Sequence, residues 1–230
     1  MRVLMLAAGC GTRLRPITEN IPKCLVPIGG KPLLQIWLER LSEAGFGPFL
    51  INTHYLHERV VEFVRESPFS NQISLVYEPE LLGTAGTLIN NIDFFQGKDG
   101  MVLHADNYCL ADMKAFRNAH ESRPKGCMMT MMTFRTNKPE TCGIVELDKR
   151  LIVVGYYEKM FEQHGNLANG AVYILASEMM SEIDAPGVVP VDISVDVIPH
   201  YMGSILSWET SSTFLDIGTT DNYVSANEIY

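Results

Sequence analysis

An uninterrupted apolar run, Val3-Leu4-Met5-Leu6-Ala7-Ala8, leads directly into Gly9-Cys10-Gly11-Thr12-Arg13-Leu14-Arg15-Pro16. The run has no polar alternation, as in a strand buried on both faces of a parallel sheet. The glycines after it expose backbone amides, and Arg13 and Lys23 bring fixed positive charge to the same stretch. Bare amides and cations at the end of a buried strand are the means by which proteins hold polyphosphates. Two other phosphate loops are excluded. A dinucleotide fingerprint needs a third glycine where this chain has Leu14, and a P-loop needs a hydroxyl after Gly30-Lys31 where this chain has Pro32. Gly9-x-Gly11 taken alone also describes an ordinary tight turn.

Charge distribution points the same way. Net charge is −9, which argues against general nucleic-acid binding. Residues 1–31 nevertheless carry net +4, because Arg2, Arg13, Arg15, Lys23 and Lys31 are opposed only by Glu19, and the rest of the chain carries −13. A content of 47% hydrophobic and 20% charged residues suits a soluble globular protein. No apolar run is long enough to span a bilayer, and the N-terminus does not resemble a signal peptide, so no membrane partner is expected. Cys10, Cys24, Cys109, Cys127 and Cys142 are odd in number and form no Cys-x-x-Cys pair. They read as reduced thiols of a cytoplasmic protein.

Along the chain, helices and strands alternate. Leu33 to Ala44 and Leu56 to Arg65 have helical spacing, Phe49 to Asn52 and Ile73 to Tyr77 read as strands, and Met101 to Ala105 is a buried strand ahead of a helix over Met113 to His120. This order predicts a parallel sheet with right-handed crossovers, which binds ligands at the carboxyl ends of its strands. From Cys127 the texture becomes strand-rich, with strands over 127–134, 143–147, 151–157 and 169–175. The methionines among them read as core. Val191 to His200 and Thr219 to Ile229 are expected as closing helices.

The extended pattern Leu6-Ala7-Ala8-Gly9-x-Gly11-Thr12-Arg13-Leu14-x-Pro16-x-Thr18, then Pro22-Lys23-x-Leu25-x-Pro27, then Gly30-Lys31-Pro32, closely resembles the signature of the sugar-phosphate nucleotidyltransferases, or nucleotide-sugar pyrophosphorylases. The resemblance implies a Rossmann-like three-layer α/β/α fold with a mixed, mostly parallel central sheet and no C-terminal β-helix. It implies one domain over 1–230, with a nucleotide-binding part at about 1–126 and a sugar-binding part at about 127–230. The implied reaction joins a nucleoside triphosphate to a sugar 1-phosphate with release of pyrophosphate, and the implied cofactor is Mg²⁺.

The same resemblance assigns residues. The backbone of Leu6, Ala7, Ala8 and Gly9, with Gly83 and Thr84, would frame the base. Gly11, Thr12 and Arg13 would hold the leaving phosphates and Lys23 the α-phosphate, while Asp106 and Asp216 would be the metal ligands. Arg13, Lys23 and Asp106 are the candidate catalytic groups. Gly143, Glu158, Lys159 and Asn169 match the family's sugar-phosphate contacts. The chain departs from the pattern at Ala105, Cys142, Met160 and Thr220. Each assignment has a plainer alternative. An acid at a strand end is commonly a surface turn, Glu158-Lys159 also describes an exposed charged pair, and Leu82 to Thr87 also describes a helix start capped by Thr84.

The compact form looks most like guanylyltransferases for manno-configured sugars, so GTP with mannose 1-phosphate or D-glycero-α-D-manno-heptose 1-phosphate is favoured. A uridylyl- or thymidylyltransferase acting on glucose 1-phosphate or an N-acetylated sugar phosphate stays open, as does a catalytically silent nucleotide-sugar sensor. A homodimer is left open as the oligomeric partner.

Overall fold

Val3, Leu4 and Met5 are fully buried, as a central parallel strand requires. In the computed structural model, which describes residues 1–160, 164–185 and 190–230, strand Val3–Leu6 pairs in parallel with Phe49–Thr53, from Val3 opposite Phe49 to Leu6 opposite Asn52. Phe49–Thr53 in turn pairs in parallel with Ile73–Tyr77. The helix Leu33–Glu43 turns Leu33, Leu34, Trp37, Leu38 and Leu41 into the core, and just past its end Gly45 takes φ 74°, a left-handed conformation that favours a residue without a Cβ. Helix His57–Glu66 buries Val60 and Val64.

These elements belong to the first of two compact units, which gathers Met1–Leu81, Leu103–Leu110 and Thr213–Tyr230. Its outlying segments meet in a short antiparallel ribbon, Asn107–Cys109 against Phe214–Asp216, with Asp216 opposite Asn107. A second ribbon, Pro27–Ile28 against Lys31–Pro32, turns at Gly29. The Gly29 amide donates to Asn227 Oδ1 at 2.9 Å, and the Tyr230 ring occupies the space a Cβ on Gly29 would need. The helix Thr220–Ile229 is thereby tied down.

The second unit comprises Leu82–Val102 and Ala111–Ser212. Its strand Met129–Arg135 pairs in parallel with Ile205–Glu209 and antiparallel with Leu167–Leu175. Leu167–Leu175 meets Gly143–Leu147 at Ala168 opposite Ile144, and Gly143–Leu147 pairs antiparallel with Val153–Glu158. Met129, Met131 and Met132 are fully buried. The α/β class, the mixed sheet and the strand-rich later region expected from the sequence are all present.

One expected element differs. Val191 to His200 is not a continuous α-helix but a π-helical turn, Ile193–Val197, followed by a 3₁₀ turn, Ile198–Tyr201. Pro199 has no amide to donate to an α-helical ladder. The Asp196 carboxylate also folds back to accept the amides of Val191 and Asp192, both at 2.8 Å, which fixes a tight local loop.

A polar knot sits inside the second unit. Fully buried His120 bridges Thr130 Oγ1 at 2.8 Å and Asp99 Oδ2 at 3.1 Å. Asp99 also accepts the Ser177 amide at 3.0 Å and lies 3.2 Å from the Arg123 guanidinium. Burial, aided by the Arg123 charge, lowers the His120 pKa to about 4. The unfolded chain then binds a proton at His120 from about pH 6.5 downward while the folded chain does not. Stability from this site is intact above about pH 6.5 and is lost as pH falls toward about 4, by about 3 kcal/mol. Urea titrations between pH 7 and 4.5 should show His120→Gln with a shallower pH dependence than the unaltered chain. Parallel curves would contradict a buried neutral imidazole.

Candidate functional site

The first unit carries the phosphate-type loop. Where the Val3–Leu6 strand ends, the Ala7 amide donates to Asn52 Oδ1 at 2.7 Å, and Asn52 Nδ2 donates to Glu78 Oε1 at 3.0 Å. Asn52 and Glu78 are both buried. The loop's first amide is therefore clamped by the neighbouring strand. Beyond it, Gly9 has open space where a Cβ would stand, whereas Gly11 does not. Gly11 has φ 62°, and a Cβ there would press on Thr18 Cγ2 at 3.0 Å and Lys23 Cβ at 3.2 Å. Thr12, Arg13 and Leu14 form a 3₁₀ turn after Gly11, and the Thr18 hydroxyl donates to the Gly11 carbonyl at 2.7 Å. Thr18 is anchored in turn, because the Tyr55 hydroxyl bonds its carbonyl at 3.0 Å.

Lys23 opens another 3₁₀ turn, Lys23–Leu25, and is only 7% exposed. Its ammonium donates to Asp106 Oδ2 at 2.6 Å and to Asp216 Oδ1 at 3.0 Å. Burial pulls the Lys23 pKa down, but the combined charges of Asp106 and Asp216 outweigh it and hold it above its ordinary value. Desolvation likewise pushes the Asp106 carboxyl up, and the Lys23 charge reverses this, leaving it below the ordinary range. Lys23 is thus held as the cation and Asp106 as the anion.

The two aspartates are 110 positions apart in the chain, and the ribbon brings them together. Asp106 follows the strand Gly100–His104, whose exit is fixed by the Ala105 amide donating to Leu6 O at 3.0 Å. The Ile217 amide donates to the Asp106 carbonyl at 3.2 Å, and Trp37 Nε1 donates to the Asn107 carbonyl at 2.7 Å. Asn222 Nδ2 holds the Asp216 carbonyl at 2.8 Å. Arg13 reaches Asp216 Oδ2 at 3.6 Å across exposed space, and a Cβ at Gly218 would crowd both groups. The structure therefore brings Arg13, Lys23, Asp106 and Asp216 into one cluster. Among the described residues no group of three or more His, Cys, Asp or Glu is placed to hold a metal.

In the second unit, Glu158 stands opposite Gly143 in the antiparallel register. The Tyr156 hydroxyl donates to Glu158 Oε2 at 2.7 Å, and Lys159 Nζ lies 3.0 Å from Glu158 Oε1. A Cβ at position 143 would collide with the Tyr156 hydroxyl and approach Glu158 Oε2 to 2.6 Å. Asn169 joins the cluster through its side-chain amide, 2.7 Å from the Tyr173 hydroxyl and 3.3 Å from that of Tyr156. Burial pushes both tyrosine pKa values well up, so both keep their protons. Gly143, Glu158, Lys159 and Asn169, which the sequence singles out separately, form one cluster. Tyr156 was not singled out, and it lies two residues from Glu158 on the same strand face.

Gly83 and Thr84 belong to the same unit and begin the helix Gly83–Asn90 instead of lying in an open loop. Thr84 does not cap that helix. Its hydroxyl donates to Asp192 Oδ2 at 3.1 Å and accepts the Ile193 amide at 2.7 Å. The Ala85 amide donates to the Val191 carbonyl at 3.0 Å, and the left-handed Gly83 leaves room for that carbonyl.

A family model described as nucleotidyl transferase matches residues 2–230. The chain is 30% identical over 242 residues to the mannose-1-phosphate guanyltransferase of Schizosaccharomyces pombe, covering 100% of this chain and 64% of that protein. The Kluyveromyces lactis mannose-1-phosphate guanyltransferase is 29% identical over 244 residues, with the same coverage. The chain thus spans just under two thirds of the length of these curated relatives. Among solved structures it is similar to HddC from Yersinia pseudotuberculosis complexed with GMP-PN, with TM-score 0.82 and 26% identity over 99% of this chain and 98% of that one.

The Asn52 clamp can be tested without substrate. Asn52→Ala frees the Ala7 amide and strips a partner from the buried Glu78 carboxylate, so it should lower unfolding stability by about 2 kcal/mol or more in urea. A change below about 0.5 kcal/mol would mean that the loop is held by other means.

Proposed function

The chain belongs to the nucleotidyl transferase family, and we propose that it transfers a guanylyl group from GTP to a sugar 1-phosphate of mannose or D-glycero-α-D-manno-heptose, releasing pyrophosphate. The observation that carries this reading is the ammonium of Lys23 shared between Asp106 and Asp216, next to the Gly9–Gly11 loop. Resemblance to proteins named as mannose-1-phosphate guanyltransferases and to a structure holding GMP-PN favours guanine.

The reaction brings two anions together. An oxygen of the sugar phosphate attacks the α-phosphorus of GTP, and the bond from that phosphorus to the bridging oxygen of pyrophosphate breaks. The barrier is mainly charge repulsion and misalignment, which the protein lowers by holding fixed charge where it is needed. Gly11, Thr12 and Arg13 bind the two phosphates that leave, and Gly9 gives the triphosphate close access to backbone. The backbone of Leu6, Ala7 and Ala8 bears on the base. Lys23 stabilises negative charge at the α-phosphate. On the sugar side, Glu158 accepts hydroxyl hydrogens, Lys159 attracts the phosphate, and Gly143 and Asn169 belong to the same subsite.

Two hard carboxylates converging on one cation, the Lys23 ammonium, are a donor pair of the kind that suits Mg²⁺. Asp106 and Asp216 would hold the ion, and it would supply charge neutralisation to the triphosphate. A cytoplasmic setting agrees with the five free cysteines.

Pyrophosphate release should be measured for GTP, ATP, UTP and dTTP against mannose, manno-heptose, glucose and N-acetylglucosamine 1-phosphates, with Mg²⁺ and with chelator. Turnover should concentrate on GTP with manno-configured sugars and vanish with chelator. A dominant UTP or dTTP response would overturn the guanine assignment. Lys23→Ala should reduce turnover about a hundredfold or more, the usual loss for one preorganised electrostatic contact. Near-full activity would remove Lys23 from the mechanism.

A further inference from the structure

The hydrogen-bond capacity of the Glu158 cluster can be counted donor by donor. The orientation of the Asn169 amide is fixed, because its Oδ1 accepts the Ala171 amide at 2.9 Å. Its Nδ2 has two hydrogens, and both point to tyrosine oxygens, Tyr173 at 2.7 Å and Tyr156 at 3.3 Å. The single hydrogen of Tyr156 goes to Glu158 Oε2 at 2.7 Å. Asn169 thus has no hydrogen left for a ligand, whereas the Glu158 carboxylate keeps unfilled lone pairs.

The backbone is shaped for this chain of bonds. Strand Leu167–Leu175 shifts register between Asn169 and Tyr173, and Ala171 within the shift has φ 50°. This bulge turns Asn169 onto the hydroxyl of Tyr173, which is fully buried and gives the chain a fixed end. Gly143 opposite Glu158 leaves the space that the Tyr156 hydroxyl fills.

We propose that Tyr156 is a positioning residue that orients the Glu158 carboxylate, so that its unfilled lone pairs face the hydroxyl donors of the ligand. Asn169 then acts through Tyr156 by fixing the direction of its hydroxyl. The proposal rests on the sugar-phosphate reading of Glu158 given above. It predicts that one hydroxyl, remote from the nucleotide loop in sequence, governs affinity for the sugar phosphate and not for the nucleotide.

The test is steady-state pyrophosphate release by the full chain with GTP and mannose 1-phosphate. Tyr156→Phe should raise KM for mannose 1-phosphate about tenfold, leaving KM for GTP within about twofold and the melting temperature nearly unchanged. Added to Glu158→Gln, Tyr156→Phe should have little further effect, because the group it acts through is already altered. Asn169→Ala, a second variant, should raise the same KM in the same direction by a smaller factor. An unchanged sugar KM in Tyr156→Phe, or an effect that adds in full to Glu158→Gln, overturns the proposal while the sugar reading stands. No turnover of any sugar 1-phosphate by the unaltered chain overturns the sugar reading, and this proposal with it.

Discussion

A lysine removed from water either finds counter-charge or loses its proton. Lys23 finds two carboxylates, and the first unit is arranged to deliver them. One comes from the end of a core strand, directly beyond the Ala105–Leu6 hydrogen bond. The other comes from a strand of only three residues whose position depends on pairing with Asn107–Cys109. Trp37 then holds the Asn107 carbonyl, so the long amphipathic helix that covers the sheet also steadies the ribbon. Folding energetics and the proposed chemistry meet at this ammonium. The carboxylates that keep it charged are the ones whose oxygens suit a divalent cation.

The strands and helices that pack the core were legible because burial writes directly into residue type. Val3–Leu6 is apolar without interruption, Met129–Met132 is broken only by Thr130, and Leu33–Glu43 repeats with helical period. Irregular elements were less legible, because local polar bonds decide them. The segment after Asp192 has the composition of a helix, yet two aspartate carboxylates and Pro199 shape it into a π turn and a 3₁₀ turn. The grouping of Lys23, Asp106 and Asp216 could be suspected only through resemblance to a family. Their spacing in the chain says nothing of the ribbon that joins them.

Asn52, Glu78, Tyr156 and Tyr173 belong to a third category. Each lies inside or next to a strand, where a polar residue ordinarily faces solvent. Their role comes from partners far off in sequence, such as Ala7 for Asn52 and Asn169 for Tyr156. A buried asparagine at the end of an otherwise apolar strand, Phe49-Leu50-Ile51-Asn52, was the one visible signal, since a buried amide must be bonded. Tyr156 gave none, because aromatic residues in strands are common core.

The first unit is stitched from three stretches of chain, the last beginning at Thr213. A ribosome emits the chain from its N-terminus, and units close when their last segment is available. Lys23 emerges nearly two hundred residues before Asp216. Throughout that interval the nascent chain carries a cation whose pocket is missing a wall, along with strand edges and apolar helix faces awaiting their final cover. The second unit, which ends at Ser212, can close first. The unit that opens the sequence is thus the one that needs the segment made last, and a chain halted before Thr213 lacks the strand that brings Asp216 beside Lys23.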